Sequence, residues 1–239
     1  MNDPQAMTEM FDDISDSYDR LNHLLSFGID RSWRRNTSKW VADRHPKTIL
    51  DVATGTADLA LQLAQDNPEA QVTGVDLSTK MISIGQQKID KERLPERICL
   101  KVADAADLPF ADNSFDAVTV AFGVRNFSDR EKGLGEMLRV CRDGGLVAIL
   151  EFSHPTSGLV KGPYRWYSRR WIPWVGRKVS KHADAYRYLP ASVEAFPSTE
   201  AFKALLEHIG LQNIQVRPFS GGIATLYGGE VSKNPESSQ

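Results

Sequence analysis

Asp51, Gly55, Asp76, Asp104 and the pair Arg125-Asn126 are the residues whose types and spacing admit chemistry. A short apolar run containing Asp51 passes into the small-residue turn Ala53-Thr54-Gly55-Thr56-Ala57, then into a helical pattern. Such a turn presents backbone N–H groups to a nucleotide-like ligand. A dinucleotide turn reads G-x-G-x-x-G. This one reads A-x-G-x-A, and without the third glycine a nicotinamide-dependent dehydrogenase is disfavoured. Gly55 and Thr56 let the backbone come close to a ligand. Asp76 follows Gly55 by 21 residues and ends the next apolar run. It can accept from both hydroxyls of a ribose, or cap the helix that follows. Asp104-Ala105 ends a third run. The carboxylate there can accept from an exocyclic adenine amine while the Ala105 N–H meets a ring nitrogen; the alternative is a solvated loop. Together the three strand ends point to an adenosine-bearing cofactor.

These residues need a parallel sheet to bring them together. Strands are expected at 48–52, 71–76, 98–103, 116–122 and 146–152, alternating with helices at 56–66, 78–90 and 128–142. Ser78 is a plausible N-cap of the second helix. Ser128 with Glu131 three residues on reads as a capping box for the third, which Asp143-Gly144-Gly145 ends. A helix at 199–209, stopped by Gly210, and strands at 211–218 and 223–229 complete the pattern. The alternation gives an α/β sheet. Three parts are expected: a helical segment over 1–45, an α/β domain over 46–230 interrupted by an insertion at 155–195, and a frayed polar tail over 231–239.

The net charge of −2, from 29 basic and 31 acidic residues, gives no field for nucleic acid. Two cysteines, Cys99 and Cys141, both in or near elements expected to be buried, argue against a disulfide scaffold or a zinc site, and no metal is expected. The polar, acidic N-terminus is unlike a signal peptide, and no uncharged apolar run reaches the ~18 residues a membrane-spanning helix needs. A cytoplasmic protein in a reducing compartment is the simplest reading.

The turn at Gly55 resembles motif I of class I S-adenosylmethionine-dependent methyltransferases. Further segments narrow the resemblance. They are Met10-Phe11-Asp12-Asp13-Ile14, Tyr18 to Gly28, Trp33-Arg34, Phe122-Gly123-Val124-Arg125-Asn126-Phe127, Glu136 to Val140, Leu150-Glu151-Phe152-Ser153, Tyr186, and Tyr188-Leu189-Pro190. With these, the chain from about Met10 to Tyr227 is similar to the ubiquinone/menaquinone biosynthesis C-methyltransferase family, and most so to its bacterial demethylmenaquinone methyltransferases. The resemblance implies a Rossmann-like seven-stranded sheet with one reversed edge strand, N-terminal helices and a helical lid insertion. It implies methyl transfer from S-adenosyl-L-methionine to a ring carbon of a polyprenylated hydroquinone, either demethylmenaquinol or the benzoquinol of ubiquinone synthesis. It implies that Thr56, Asp76, Asp104 and Ala105 contact the cofactor. Ala57 stands where many members have glycine, Ala121 where some have a serine that contacts the cofactor, Asp30 where some have histidine, and Asp143 in place of a usual proline. A non-catalytic assembly subunit that keeps the fold is the alternative from another class; the intact Gly55, Asp76 and Arg125-Asn126 argue against it.

That reaction needs a held phenolate, because carbon is a poor nucleophile until the ring hydroxyl loses its proton. Arg125 offers fixed charged donors and Asn126 an amide at the exit of strand four; Arg125 is also a candidate for a structural ion pair. It is itself a poor base. Asp58, or a water it orients, is the leading candidate base, with His23 and His154 as others. Tyr18 and Asn22, four apart on one helical face, suit either a lid over the quinol or a docking helix, and Tyr186 joins them as a substrate-side candidate. Residues 161–181 carry five aromatic and seven basic residues and no acid. That mixture fits either a transient contact with the headgroups at the inner face of a membrane or a lid packed on the core. Oligomeric state is left open.

Overall fold

The structure is a computed structural model that describes residues 4–155 and 183–233. The described elements are α1 (Pro4–Leu25), α2 (Ile29–Ala42), β1 (Thr48–Val52), α3 (Asp58–Asp66), β2 (Gln71–Asp76), α4 (Thr79–Lys91), β3 (Ile98–Val102), β4 (Phe115–Ala121), α5 (Arg130–Val140), β5 (Cys141–Phe152), α6 (Ala183–Glu194), α7 (Thr199–His208), β6 (Leu211–Phe219) and β7 (Ala224–Val231). The strands form one sheet in the order β3-β2-β1-β4-β5-β7-β6. β1 to β5 are parallel, and β7 runs antiparallel to both β5 and β6. The expected alternation and the reversed strand are therefore present; the reversed strand, β7, sits inside the sheet, between β5 and β6.

Two apolar layers hold the sheet. On one face Phe202 and Leu206 of α7 and Leu134 and Met137 of α5 join Leu50, Val118 and Ile149. On the other, Trp40 and Val41 of α2, Leu59 and Leu63 of α3 and Ile89 of α4 cover Ile49, Val72 and Ala148. Strands buried on both faces read as continuous apolar runs, which is why β1, β4 and β5 carry little alternation. The Trp40 ring lies so close to β7 that a Cβ added at Gly228 would fall 1.9 Å from it. Only glycine permits that contact.

Several element ends differ from the sequence reading. Asp129, not Ser128, caps α5, accepting from the Lys132 N–H at 3.0 Å. Helix α5 stops at Val140 rather than 142, because Cys141 already pairs with Phe115 in the sheet. Residues 142–145, with Gly144 at φ +68°, then form an irregularity before Leu146 pairs with Ala117. Ser78 does cap α4, accepting from Met81 N–H at 3.1 Å. Gly210, at φ +104°, follows α7 as expected. Cys141 is buried, but Cys99 is exposed. Much of the expected insertion, including all of 161–181, lies outside the described residues, and so does the Tyr186 side chain within α6. Among the described residues no helix is long and apolar enough to cross a membrane, and no cluster of potential metal ligands occurs.

Candidate active site

Register brings the candidate residues together. Val52 pairs with Val75 on one side and Val120 on the other, so β1, β2 and β4 end level. Asp76 pairs with Val102, which sets Ala103 and Asp104 beside it. The strand order reverses between β1 and β4, and ligands of open α/β sheets bind in the crevice at that switch point. A cavity opens there. Ala53 and Gly55 line it from β1, Asp76 to Ser78 from β2, Ala103 to Ala105 from β3, and Ala121 to Gly123 from β4. Asn126, Phe127 and Ser128 extend the wall, Met81 of α4 adds to it, and Met7, Thr8, Phe11 and Tyr18 of α1 lie across it.

The turn after β1 has its own physics. Ala53, Gly55 and Ala57 all take positive φ, at +51°, +56° and +66°. Of these three left-handed residues only one is a glycine, so two alanines hold a costly conformation. At Ala57 glycine would be the conformationally cheaper residue. Beneath the turn, Asp51 is buried and accepts from Thr54 Oγ1 at 2.7 Å and Thr119 Oγ1 at 2.8 Å. Burial still dominates, pushing its carboxyl up to about 6.

Asp76 sits at the mouth of β2. Its Oδ2 accepts from the Gly55 N–H at 2.8 Å and its Oδ1 from the Ser78 N–H at 2.9 Å. Burial raises its pKa, the two N–H donors work against that, and the nearby Asp12 adds to the rise. The carboxylate braces the start of α4 and also borders the cavity. Asp104 accepts from the Ala106 N–H at 2.9 Å and also lines the cavity beside Ala105. These groups fit an adenosine-bearing ligand. A carboxylate, backbone N–H groups and small side chains stand on one wall, and apolar Phe11, Met81 and Phe127 supply flat contact surface.

Thr56, Asp58 and Arg125 are among the named side chains that lie outside this lining. Thr56 is buried and donates to Asp19 Oδ1 at 2.5 Å while accepting from Lys88 Nζ at 2.9 Å. Asp58 is bound to the same Lys88 at 2.6 Å, and its second oxygen lies 3.7 Å from His23 Nε2. Burial would raise the Asp58 carboxyl, but Arg34 and Lys88 together hold it below the usual value. A carboxylate so engaged is poorly suited to take a proton. The Arg125 guanidinium is turned inward. It is only 8% exposed, and Nη1 donates to Glu151 Oε1 at 2.8 Å and to the Phe122 carbonyl. Glu151 is fully buried and also accepts from the Arg125 and Phe152 N–H groups. His23 meets Asp30 Oδ2 at 2.9 Å, and His154 meets the Phe196 carbonyl at 3.1 Å; neither lines the cavity.

Tyr18 and Asn126 remain as polar side chains on the β4 side. Burial raises the Tyr18 phenol above its ordinary value, although Arg125, Arg34 and a hydrogen bond with Asn22 pull it down. Asn126 Oδ1 accepts from Tyr188 Oη at 3.0 Å, tying α6 to the wall of the cavity. Asn22 does not line the cavity; it hydrogen-bonds Tyr18, which does. Glu151, Lys88, Asp19 and Tyr188 were not read as site residues from the sequence. Glu151 had a usable signal, since an acid inside an apolar strand demands a buried partner. The other three had none, because their partners lie 30 to 69 residues away across a helix packing.

Comparisons with known proteins agree with this geometry. The chain is 48% identical over 227 residues to a protein of Geotalea daltonii named ubiquinone/menaquinone biosynthesis C-methyltransferase UbiE, covering 95% of this chain and 96% of that one. It is 44% identical over 223 residues to a demethylmenaquinone methyltransferase of Bacteroides fragilis, covering 93% and 91%. It is 45% identical over 221 residues to one of Thermus thermophilus, covering 92% and 99%. Solved structures share the fold at low identity. The Haemonchus contortus phosphoethanolamine N-methyltransferase 2 in complex with S-adenosyl-L-methionine aligns with a TM-score of 0.60 at 17% identity, over 83% of this chain and 53% of that one. The [4+2]-cyclase SpnF aligns at 0.61 and 18%, over 96% and 97%, so the fold alone does not dictate the reaction. The description ubiE/COQ5 methyltransferase family fits residues 1–230, and to that family this chain belongs.

Proposed function

We propose that the protein transfers the methyl group of S-adenosyl-L-methionine to a ring carbon of demethylmenaquinol, giving menaquinol. The observation that carries this reading is the two-sided cavity: Asp76 and Asp104 on one side, Tyr18, Phe122, Asn126 and Phe127 on the other. On it, Asp76 holds the ribose hydroxyls, Asp104 and Ala105 take the adenine, and the turn at Gly55 passes the methionine part. When bound, the cosubstrate supplies an electrophilic methyl group. The chain must then hold the acceptor carbon in line at near-attack distance, ~3–3.5 Å. Asn126, fixed by Tyr188, positions the ring hydroxyl, and Phe122 and Phe127 give the ring its flat walls. Arg125, paired with Glu151, holds the Phe122 carbonyl from behind and so fixes the Phe122 wall of the cavity. Tyr18, with its raised pKa, serves as a hydrogen-bond donor at neutral pH. The proton of the quinol passes to solvent water, since Asp58, His23 and His154 are all engaged elsewhere.

The acceptor carries a polyprenyl tail, so we place the working protein at the inner face of the cytoplasmic membrane. The aromatic and basic composition of 161–181 supports that placement from sequence. A second reading keeps the chemistry and exchanges the acceptor for the polyprenyl benzoquinol; the Geotalea relative's name covers both pathways. Mass-spectrometric assay of methyl transfer to the two quinols side by side tests the choice. A product mass 14 Da higher from demethylmenaquinol alone, as one methyl replaces one hydrogen, is the expected outcome. Transfer to the benzoquinol alone replaces the first reading with the second, and transfer to neither rejects both.

A further inference from the structure

The outer face of α2 has no part in the site described. Its inner face, Trp33, Thr37, Trp40 and Val41, is buried against the sheet and α3. Its outer face carries Arg31, Arg35 and Lys39, all exposed and spaced four residues apart, so they form one stripe along the helix. None of the three is in an ion pair with a described residue. Neighbouring cations differ: Arg34 pairs with Asp30, Arg44 with Glu230 and Lys47 with Glu69. The only acid within the helix, Asp30, is buried, and Asp43 closes the stripe at its far end. At the near end the turn into α2 holds up Phe27, 69% exposed, and Ile29, 44% exposed. Large apolar side chains at a tip, backed by unpaired positive charge, are what a lipid headgroup boundary attracts.

The tip also stands at the right end of the molecule. Trp33 packs on Phe122 at 6.1 Å and on Phe152 at 6.3 Å between ring centroids, and Phe122 lines the cavity. The start of α2 is therefore beside the carboxyl ends of β4 and β5, where a lipid-soluble acceptor has to enter. We propose that the Phe27–Ile29 tip and the Arg31, Arg35, Lys39 stripe form the surface by which this protein docks on an anionic lipid bilayer. This rests on the quinol reading for its purpose, but not for its test.

Flotation of the full chain with vesicles of phosphatidylglycerol and phosphatidylcholine, against phosphatidylcholine alone, measures the docking. Binding should require the anionic lipid and weaken as salt is raised. Each basic residue at such a surface is worth about fivefold, so Arg31→Gln with Arg35→Gln should lower vesicle partition about 25-fold. Arg31→Lys with Arg35→Lys should retain it, because point charge suffices. Phe27→Asn should also lower it; Asn tolerates the left-handed φ of +52° at that position, so the turn survives. Methyl transfer to a tailless quinol reports separately on the functional reading and should not change in any of these variants. Vesicle binding that ignores the Gln pair but is lost in Arg169→Gln with Arg170→Gln overturns the proposal. So does absence of vesicle binding with a mass, by light scattering, that falls from dimer to monomer in the Gln pair.

Discussion

At the scale of single residues, the acids at the ends of β1 and β2 have divided tasks. Asp76 presents its carboxylate to the cavity, so Asp76→Ala should weaken S-adenosyl-L-methionine binding by about 1.5–3 kcal/mol, the range for a charge-assisted hydrogen bond; an unchanged affinity by calorimetry removes it from the site. Asp51 lies below the turn, and its carboxyl is pushed up from 3.8 to about 6. The folded chain therefore holds that proton more tightly than the unfolded one. Stability from this group is greatest below pH ~4, declines as pH rises through the window to about 6, and stays lower by roughly 3 kcal/mol above it. Asp51→Asn should raise the melting temperature at pH 7.5, leave it little changed at pH 4, and weaken binding of a cationic cosubstrate. A variant whose pH–stability curve keeps the wild-type slope would place the burden on another group. Arg125 needs a milder change. Truncation strands Glu151 in the core and costs stability of about 3–5 kcal/mol, masking any catalytic effect. Arg125→Lys keeps the charge and loses the fork; kcat should fall about 10–100-fold while cosubstrate affinity holds. Normal turnover in a folded Arg125→Lys variant would sink its role.

At the scale of elements, the cap of α5 offers a clean contrast between two adjacent residues. Ser128 with Glu131 has the text of a capping box, yet Asp129 makes the bond to Lys132 N–H. Asp129→Ala should cost about 1 kcal/mol by denaturant titration, and Ser128→Ala a few tenths or less; the reverse order would restore the sequence reading. The register of a cap is hard to read because Ser and Asp are both good N-caps, and packing of α5 on the sheet decides between them. The strands were easier. β1, β4 and β5 are mostly apolar on both faces, and their ends fall within a residue or two of where the text changes, except where Cys141 pairs early with Phe115. The strand-end wall of the cavity was legible for the same reason: Gly55, Asp76 and Asp104 are local signals at strand ends. The acceptor side was not. What Arg125 and Asp58 touch depends on Glu151, Lys88 and Asp19, reached through packing between distant helices and strands. A residue type announces what it can do; only the partner decides whether it is free to do it.

At the scale of the whole molecule, the N-terminal helix and the α/β body meet over the cavity, and the joint is polar. Met7, Thr8, Phe11 and Tyr18 of α1 close the cavity. Asp12 accepts from Ser78 Oγ at the start of α4. Farther along, Lys88 Nζ of α4 reaches Asp19 of α1 at 2.5 Å, Asp58 of α3 at 2.6 Å and the Thr56 hydroxyl at 2.9 Å. One ammonium thus ties three elements to the turn that borders the cavity. Helix α1 makes few contacts with the sheet beyond this joint, since its described packing is chiefly on α4 and α2. α1 lies across one side of the cavity, so the joint should govern residence time more than fold stability. Lys88→Met removes the cation and leaves Asp19 and Asp58 facing each other half-buried. We expect amide exchange to quicken across α1 but not across β1 or β4, and the KM for S-adenosyl-L-methionine to rise about 5–20-fold with kcat within about twofold. Asp19→Asn should do the same more weakly, because Asp58 still holds Lys88. Uniform acceleration of exchange through the sheet would instead make Lys88 a prop of the core, and unchanged exchange in α1 would show that apolar contacts alone keep the helix closed.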